Sequence, residues 1–584
     1  MGQKKTKPKE PVEPVDPEQP EPPPPPASRS EIYWNFTKTY WKALFSVIWP
    51  IIWCPVLFLN FHDKAYRCLY LVLVMAGYWV TECIPLAISS TLPIVYLPAM
   101  SIVPTAIVTK EYMNKTNVMF IGGIMVALAV EHSRLHYRIA LGFILLIGCS
   151  PRRLHFGIMT ITMFISWWMS NTAATAMMCP IIKAVLEELE KQGMGSLYKP
   201  LSEEEQQLPE AEKQAKRVPT DSTLAYFLAA AYSSTIGGCA TIVGTGTNLT
   251  YVGLFEGHEE DLKEKVKNDT SSYWYDYKPK GVNFALWIAF NGPIMFIINC
   301  LTFLILEMMY LGLFRKNSEG YKMVQKGKEL KSTARTILKQ KYNDLGTITW
   351  HESWVLFFFL LCIILWFFLE PGFMPGYGKA ISSVKINDGS VAFFIIILMF
   401  LVPAKPTFLK ACTSDRTKWP QKSEPLITWK LLHQKTPWGL MFLLGGGFAL
   451  ALGSKQSGMN DMIGDWLSVM KVLPDWVIMG TIATIASFMT ELSANVAICN
   501  IVVPICLSLS ENLKIDPQFL ALPTAIACSF SFMLPVGTPP NAVAAGFVNI
   551  PTPQMAKCGI IVSVMAMFVY ILAVMTYGKL IYKW

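Results

Sequence analysis

Charged residues are scarce in this sequence, and the common catalytic signatures are missing from it. Asp, Glu, Lys and Arg make up 16% of the 584 residues, against roughly 25% in soluble globular proteins. The 13 cysteines form no CxxC pair, which argues against a zinc ribbon or a redox dithiol. No paired carboxylates and no nucleophile–base set are recognisable. We therefore expect a chain that is not an enzyme and has no resident cofactor.

Long apolar stretches dominate instead. Hydrophobic residues make up 52% of the chain, and the mean hydropathy is +0.37. A helix needs about 20 apolar residues to cross roughly 30 Å of hydrocarbon. Candidate spans lie near 42–60, 66–81, 84–103, 118–132, 137–149, 155–189, 222–254, 284–314, 352–370, 390–404, 437–453, 474–509, 518–549 and 557–580. This pattern predicts an all-α polytopic membrane protein whose main partner is the lipid bilayer.

The basic residues indicate how the chain is oriented. The net charge of +9 could suggest nucleic acid, but nine Lys and Arg lie in loop 315–350 and seven in loop 405–436. By the positive-inside rule these loops face the cytoplasm, so we expect no nucleic-acid partner. The loop 256–280, with the sequon Asn268-Asp269-Thr270, would then face outside. We take the plasma membrane as the default location.

The N-terminal region differs in composition from the rest. It is rich in Pro, Glu and Lys and has no apolar core, so we see no signal peptide in it. Such a segment cannot bury enough apolar surface to fold. We predict a disordered cytoplasmic arm over residues 1–35.

The remainder divides into two related halves, 36–350 and 351–584. Three motifs recur in the same order, and the first two keep a spacing of 322 to 324 residues. The pairs are Met119-Phe120 with Met441-Phe442, Asn171-Thr172-Ala173 with Asn495-Val496-Ala497, and Gly244-Thr245-Gly246-Thr247-Asn248 with Gly537-Thr538-Pro539-Pro540-Asn541. Duplicated halves are typical of secondary carriers, whose site lies between the repeats.

Polar residues inside apolar segments mark the predicted site. Ser170-Asn171-Thr172 would be costly in lipid unless satisfied, and Ser and Asn favour helix caps. We predict a re-entrant hairpin whose tip offers free N–H groups to an anion. The Gly244 and Gly537 blocks predict unwound helix, whose carbonyls can hold a cation and whose Thr hydroxyls can hold a carboxylate. The alternative is that these small polar residues only pack helices together.

These motifs resemble those of the divalent anion:sodium symporters, which carry dicarboxylates, citrate and sulfate. The resemblance runs from about residue 40 to the C-terminus. It implies inverted repeats, two opposed hairpins, a scaffold domain, and a transport domain that moves as an elevator in a homodimer. It further implies that the substrate lies between the two hairpin tips.

The resemblance also implies roles for individual residues. The implied substrate-binding residues are Ser170, Asn171, Thr172, Thr245, Asn495, Val496, Thr538 and Pro539. The implied sodium sites comprise Ser166 and Gly244 on one side and Thr490, Ser493 and Gly537 on the other, with contributions from Ser170, Asn171 and Asn495. Sodium or protons are the candidate coupling ions.

One hairpin motif departs from the family pattern. Ala494 stands where the family has Ser, and Val496 replaces a frequent Thr, so this tip loses hydroxyl ligands that a hard cation prefers. Ser493 could partly compensate. We therefore expect a sodium-independent or exchange-type carrier of di- and tricarboxylates such as citrate and succinate. The alternatives are a sodium-coupled dicarboxylate or sulfate symporter and, in another class, an anion channel.

Three further charged residues carry open interpretations. Arg138 resembles a basic position near the citrate site, where its guanidinium fork would suit a third carboxylate. The alternative for Arg138 is an interfacial side chain that extends towards water. Glu82 and Glu491 lie in or near spans, so each is either a proton-binding group or a structural partner for backbone.

Overall fold

The computed structural model describes most of the chain. The described residues are 28–148, 150–191, 196–200, 217–268, 274, 281–329, 331–372, 374–408, 412, 416–419 and 422–582. Most of the predicted arm, and the Asp269-Thr270 part of the sequon, lie outside them.

The described residues are almost entirely helical. Apart from short 3₁₀ and π segments, the first half contains α1 (Arg29–Leu59), α2 (Lys64–Thr81), α3 (Leu86–Ser89), α4 (Leu92–Ala99), α5 (Thr105–Lys110), α6 (Lys115–His132), α7 (Leu135–Ile147), α8 (Pro151–Ser166), α9 (Asn171–Lys191), α10 (Asp221–Gly238), α11 (Gly246–Asn268), α12 (Phe284–Met309), α13 (Glu319–Glu329) and α14 (Lys331–Asp344). Extended pairing in the described part is limited to two isolated bridges, Tyr198 with Pro219 and Pro403 with Pro425.

The second half continues in the same way. It contains α15 (Trp350–Leu369), α16 (Tyr377–Ile381), α17 (Asp388–Leu401), α18 (Trp429–Lys435), α19 (Trp438–Gln456), α20 (Met459–Leu467), α21 (Asp475–Thr490), α22 (Asn495–Leu513), α23 (Pro517–Ala527), α24 (Pro539–Val548), α25 (Thr552–Ala573) and α26 (Lys579–Tyr582). Over the described ranges, seven helical segments are long and apolar enough to cross a membrane. The chain is therefore a multi-pass membrane protein, as its composition predicts.

The first long helix begins earlier than predicted. Ser28 and Glu31 form a capping box: the Ser28 hydroxyl accepts the Glu31 N–H at 3.3 Å, and the Glu31 carboxylate accepts the Ser28 N–H at 2.7 Å. Satisfying these exposed N–H groups starts α1 at Arg29. The predicted disordered arm over 1–35 is therefore wrong for its last residues, which are helical.

Besides 84–103, which contains the short helices α3 and α4, four long predicted spans are each divided into two helices. The breaks separate α8 from α9, α10 from α11, α21 from α22 and α23 from α24. The segments 155–189 and 474–509 become two hairpins, which we call the first and second hairpin. Residues 167–172 and 491–496, which connect the two helices of each hairpin and begin the second helix, are the first and second tip. Residues 239–245 and 528–538 are the first and second loop.

Each hairpin packs against a fully enclosed helix. In α10 every residue from Ser222 to Gly238 is buried, and every residue of α23 is buried as well. The first hairpin contacts α10 with both of its helices, and the second contacts α23 in the same way. Both helices contain polar residues, such as Ser234 and Thr524, that would be costly in contact with lipid and are enclosed by protein instead. These two helices therefore form the centre that positions both tips.

Small residues permit the close approach of α10 to the first hairpin. A Cβ added at Gly237 would lie 2.3 Å from the Met163 carbonyl oxygen of α8. A Cβ at Gly238 would lie equally close to Asn171, at 2.3 Å from its side-chain oxygen. The distance between these helices therefore depends on glycine.

Replacing Gly237 by Ala should destabilise the protein, because backbone atoms of α8 would have to move. We expect a loss of about 1–3 kcal/mol, as is typical of overpacked cores. Fluorescence-detected size-exclusion chromatography after heating would measure it. Gly257→Ala in α11 is the matched control, since a Cβ there meets nothing within 4 Å. Equal melting temperatures for the two variants would contradict the proposed close packing.

Candidate functional site

The first tip presents a compact set of oxygen atoms. α8 ends at Ser166 and α9 begins at Asn171. The Ser166 hydroxyl lies 2.7 Å from Asn171 Oδ1 and 2.6 Å from the Ser234 carbonyl oxygen of α10. The Ser170 hydroxyl accepts the Ala173 N–H at 3.3 Å and so caps α9. The tip thus combines a helix N-terminus with converging neutral oxygens.

The second tip is built differently. Ala494 precedes α22 at the cap position and contributes no side-chain hydrogen bond. The Ser493 hydroxyl donates to the Trp79 carbonyl of α2 at 3.0 Å, and the Thr490 hydroxyl donates to the Ser487 carbonyl at 2.9 Å. Asn495 Oδ1 is buried and finds no hydrogen-bond partner among the described residues. An anionic ligand could therefore bind this residue through its N–H donors and not through this oxygen.

Two asparagines hold the unwound loops in the same manner. Asn248 donates to the carbonyls of Gly238 at 2.9 Å and Thr241 at 2.7 Å. Asn541 donates to the carbonyls of Ser531 at 3.2 Å and Leu534 at 3.0 Å. The donor and the two acceptors in the second loop each lie 293 residues after their counterparts in the first. This is also the offset between the two Gly-Thr motifs. These amides satisfy carbonyls that a continuous helix would have paired.

The second loop has an additional support that the first lacks. The Glu491 carboxylate accepts the N–H groups of Phe532, Met533 and Leu534 at 2.8, 3.0 and 3.0 Å. The same carboxylate and the Ser531 hydroxyl lie where a Cβ of Gly537 would be, at 2.8 and 2.2 Å. Of the two interpretations of Glu491, this geometry favours the structural partner. Ser531 is a polar contributor that the sequence reasoning missed, because it lies outside the recognised motif.

Both tips and both loops line one cavity of about 1050 Å³. The structure brings eight predicted substrate residues to its wall: Ser170, Asn171, Thr172, Thr245, Asn495, Val496, Thr538 and Pro539. Of the predicted sodium residues, Gly244, Ser493 and Gly537 line it, whereas Ser166 and Thr490 lie behind the tips and are buried. The rest of the wall includes residues of α1, α2, α6, α18 and α19, where the sequence reasoning placed no substrate or sodium residue.

Arg138 is the one predicted substrate residue that the structure does not bring to this cavity. Its guanidinium is buried and lies 3.2 Å from the Glu352 carboxylate. It also donates to the carbonyls of Gly346 at 2.9 Å and Leu345 at 3.1 Å. These contacts use the fork that a substrate carboxylate would need. Arg138 thus joins α7 to the start of α15, and it is neither a cavity residue nor an interfacial side chain extending to water.

The two tips therefore differ in what they can bind. The first offers a serine hydroxyl and an amide oxygen close together, which suits a hard cation. The second has fewer side-chain oxygens, and its N–H donors are those of the Asn495 amide and the N-terminus of α22. In the described residues no group of three or more His, Cys, Asp or Glu could hold a metal ion. The cavity is suited to an anion held by amides, hydroxyls and helix ends.

Sequence comparisons agree with this description. The family model "Sodium:sulfate symporter transmembrane region" matches residues 37–584. The chain is 42% identical over 556 residues to the Drosophila melanogaster protein I'm not dead yet, covering 94% of this chain and 90% of that one. It is 34% identical to the Na(+)/citrate cotransporter of Rattus norvegicus, with 91% and 94% covered. It is also 34% identical to the sodium-dependent low-affinity dicarboxylate transporter 1 of Caenorhabditis elegans, with 86% of each covered.

Replacing Glu352 by Gln should lower stability and leave substrate affinity unchanged. The Arg138 charge would stay buried without its carboxylate partner, which typically costs about 3–5 kcal/mol. Thermal unfolding of the purified protein would measure the loss, and the KM of the surviving transporter would report on affinity. Glu370→Gln is the control: its pair with Lys385 spans 3.7 Å and is half exposed, so about 0–1 kcal/mol is expected. A large rise in KM for Glu352→Gln with normal stability would contradict this role.

Proposed function

Since the chain belongs to the divalent anion:sodium symporter family, we propose that it carries di- and tricarboxylates, such as citrate and succinate, across a membrane. The observation that carries the proposal is the single cavity lined by both hairpin tips and both unwound loops. The rat relative is named as a citrate cotransporter and the worm relative as a dicarboxylate transporter, and these names indicate the substrate class. No covalent chemistry is involved in the proposed cycle.

Each hairpin is proposed to bind one carboxylate. The first would use the Ser170, Asn171 and Thr172 side chains with the N-terminus of α9. The second would use Asn495 with the N–H groups at the start of α22. A helix N-terminus has a positive dipole end and unpaired N–H groups, so it favours an anion without a charged side chain. Thr245 and Thr538 of the two loops would then contact the middle of the substrate.

Movement is proposed to follow an elevator path. Both hairpins pack on the buried helices α10 and α23, so the tips and loops can move together as one unit. The remaining cavity wall belongs to α1, α2, α6, α18 and α19, which would form the static scaffold. Inverted repeats, a homodimer, the plasma membrane and a cytoplasmic N-terminus complete this proposal.

Coupling is proposed to be sodium-independent or by exchange. Ala494 and Val496 provide no hydroxyl at the second tip, which leaves Ser493 as the hydroxyl residue of residues 491–496 that lines the cavity. A sodium ion there would have fewer side-chain oxygen ligands than it prefers. The second candidate is sodium-coupled symport. It is favoured by the Ser166–Asn171 oxygen pair at the first tip and by the names of the rat and worm relatives.

Uptake of labelled citrate into proteoliposomes should persist when external sodium is replaced by choline. We expect less than about a twofold change, because the second tip offers few ligands to a hard cation. A collapse of uptake in choline would overturn sodium independence and favour the symporter. Acceleration by internal unlabelled citrate would separate a carrier from an anion channel, which shows no such trans-stimulation.

Asn495→Ala provides the site control for the same assay. It removes the side-chain amide whose N–H groups are proposed to donate to one carboxylate, without touching the first tip, and we expect at least about a tenfold loss of uptake. Asn387→Ala, at the half-buried start of α17 and outside the cavity, should retain full activity, since its side chain makes no capping hydrogen bond. Undiminished uptake by Asn495→Ala would contradict the proposed binding site.

A further inference from the structure

The cavity contains few charges, and all of them lie on the wall that carries no hairpin. Its four charged lining residues are Lys42 of α1, Glu82 at the end of α2, Glu131 of α6 and Lys435 of α18. The tips and loops contribute neutral polar groups only. The charged side chains that can respond to the number of negative charges on a substrate therefore lie on the wall that carries no hairpin.

The two lysines are not equivalent. Lys42 Nζ donates to the backbone carbonyl of Glu82 at 3.1 Å, a neutral partner. Lys435 Nζ lies 2.7 Å from Glu131 Oε1, so its charge is already neutralised by a carboxylate. The two side chains are partly open to solvent, at 50% for Lys435 and 28% for Glu131. A solvent-exposed ion pair contributes little to stability and is readily exchanged.

We propose that Lys435 is a charge-selecting residue of this cavity, and that Glu131 is its resident competitor. A dicarboxylate uses both of its carboxylates at the two hairpin tips. A tricarboxylate has one carboxylate left, and that group can take the place of Glu131 on Lys435. The Lys435–Glu131 pair then sets the preference for trivalent over divalent substrates. This inference rests on the proposed carboxylate transport and adds a specificity residue to it.

The chemistry of the Lys435–Glu131 pair allows a substrate carboxylate to replace the Glu131 carboxylate. A carboxylate that leaves Lys435 finds water at once, because Glu131 is partly exposed. The incoming carboxylate makes the same charge-assisted hydrogen bond that Glu131 gives up. A substrate with a spare carboxylate can therefore gain a bond to Lys435 by exchange, whereas a dicarboxylate leaves the Lys435–Glu131 pair unchanged. Lysine suits this role because its ammonium has three N–H donors on a flexible side chain, so it can bind carboxylates that approach from several directions.

A purely structural link between α6 and α18 predicts a different outcome. If the pair only tied these helices together, removing either partner would weaken transport in the same direction and for every substrate. If Glu131 competes with the substrate, removing it must act in the opposite sense to removing Lys435. The sign of the Glu131 effect therefore separates the two explanations.

The test compares initial uptake of labelled citrate and succinate by full-length protein in proteoliposomes, at a fixed pH where both are fully ionised. For Lys435→Gln we expect the citrate KM to rise about tenfold and the succinate KM to change less than about twofold. For Glu131→Gln we expect the citrate KM to fall about threefold, because the ammonium no longer has a competitor. The double variant should resemble Lys435→Gln.

Two control variants define the result. Lys430→Gln changes an exposed lysine of the same helix that does not line the cavity, and it should leave both KM values unchanged. Lys435→Arg keeps the charge and should preserve citrate selectivity. If Lys435→Gln is not produced in folded form, the direction of the citrate KM change in Glu131→Gln still separates competition from a purely structural link.

The inference is overturned if Lys435→Gln raises both KM values equally, if Glu131→Gln also raises the citrate KM, or if Lys42→Gln produces the selectivity change instead. A wild-type protein that transports neither substrate would overturn the proposed function itself. The two failures are therefore distinguishable in one experiment.

Discussion

The need to satisfy backbone groups away from water governs this molecule. Four helical segments are interrupted, and each interruption leaves N–H and carbonyl groups that lipid cannot pair. The protein supplies the missing partners from side chains. Asn248 and Asn541 each hold two loop carbonyls, and Glu491 accepts three consecutive N–H groups of the second loop. Without these partners the unwound backbone that lines the cavity would be too costly to maintain.

The two halves of the chain use different side chains to satisfy the backbone groups at these interruptions. In the first, a serine hydroxyl and an amide oxygen meet beside Gly238, and no carboxylate is used. In the second, the Glu491 carboxylate lies beside Gly537, and the Thr490 and Ser493 hydroxyls donate to backbone carbonyls. The same loop geometry is thus kept with different electrostatics. This asymmetry is the structural basis for expecting different roles of the two tips in ion coupling.

Much of the site was predictable because polar residues are conspicuous in an apolar segment. Ser170-Asn171-Thr172 and Asn495 stand out for that reason, and the structure brings them to one cavity. Arg138 stood out equally, yet its partner Glu352 lies 214 residues away. Nothing in the local sequence shows such a pairing. Lys435 and Glu131 were inconspicuous, since each lies at the end of a helix where charged residues are ordinary.

Helix positions, the breaks in them and the matched motifs were determined by the sequence alone, because hydrophobicity, glycine and proline act on neighbouring residues. The start of α1 escaped prediction, since a two-residue capping box outweighed the composition of the arm. Only the tertiary structure decided which charges meet: Arg138 with Glu352, Lys435 with Glu131, and Glu491 with the second loop. Those pairings depend on how distant helices pack. The direction in which a buried or half-buried charge turns is set by the nearest available partner, and that partner is local in space but not in sequence.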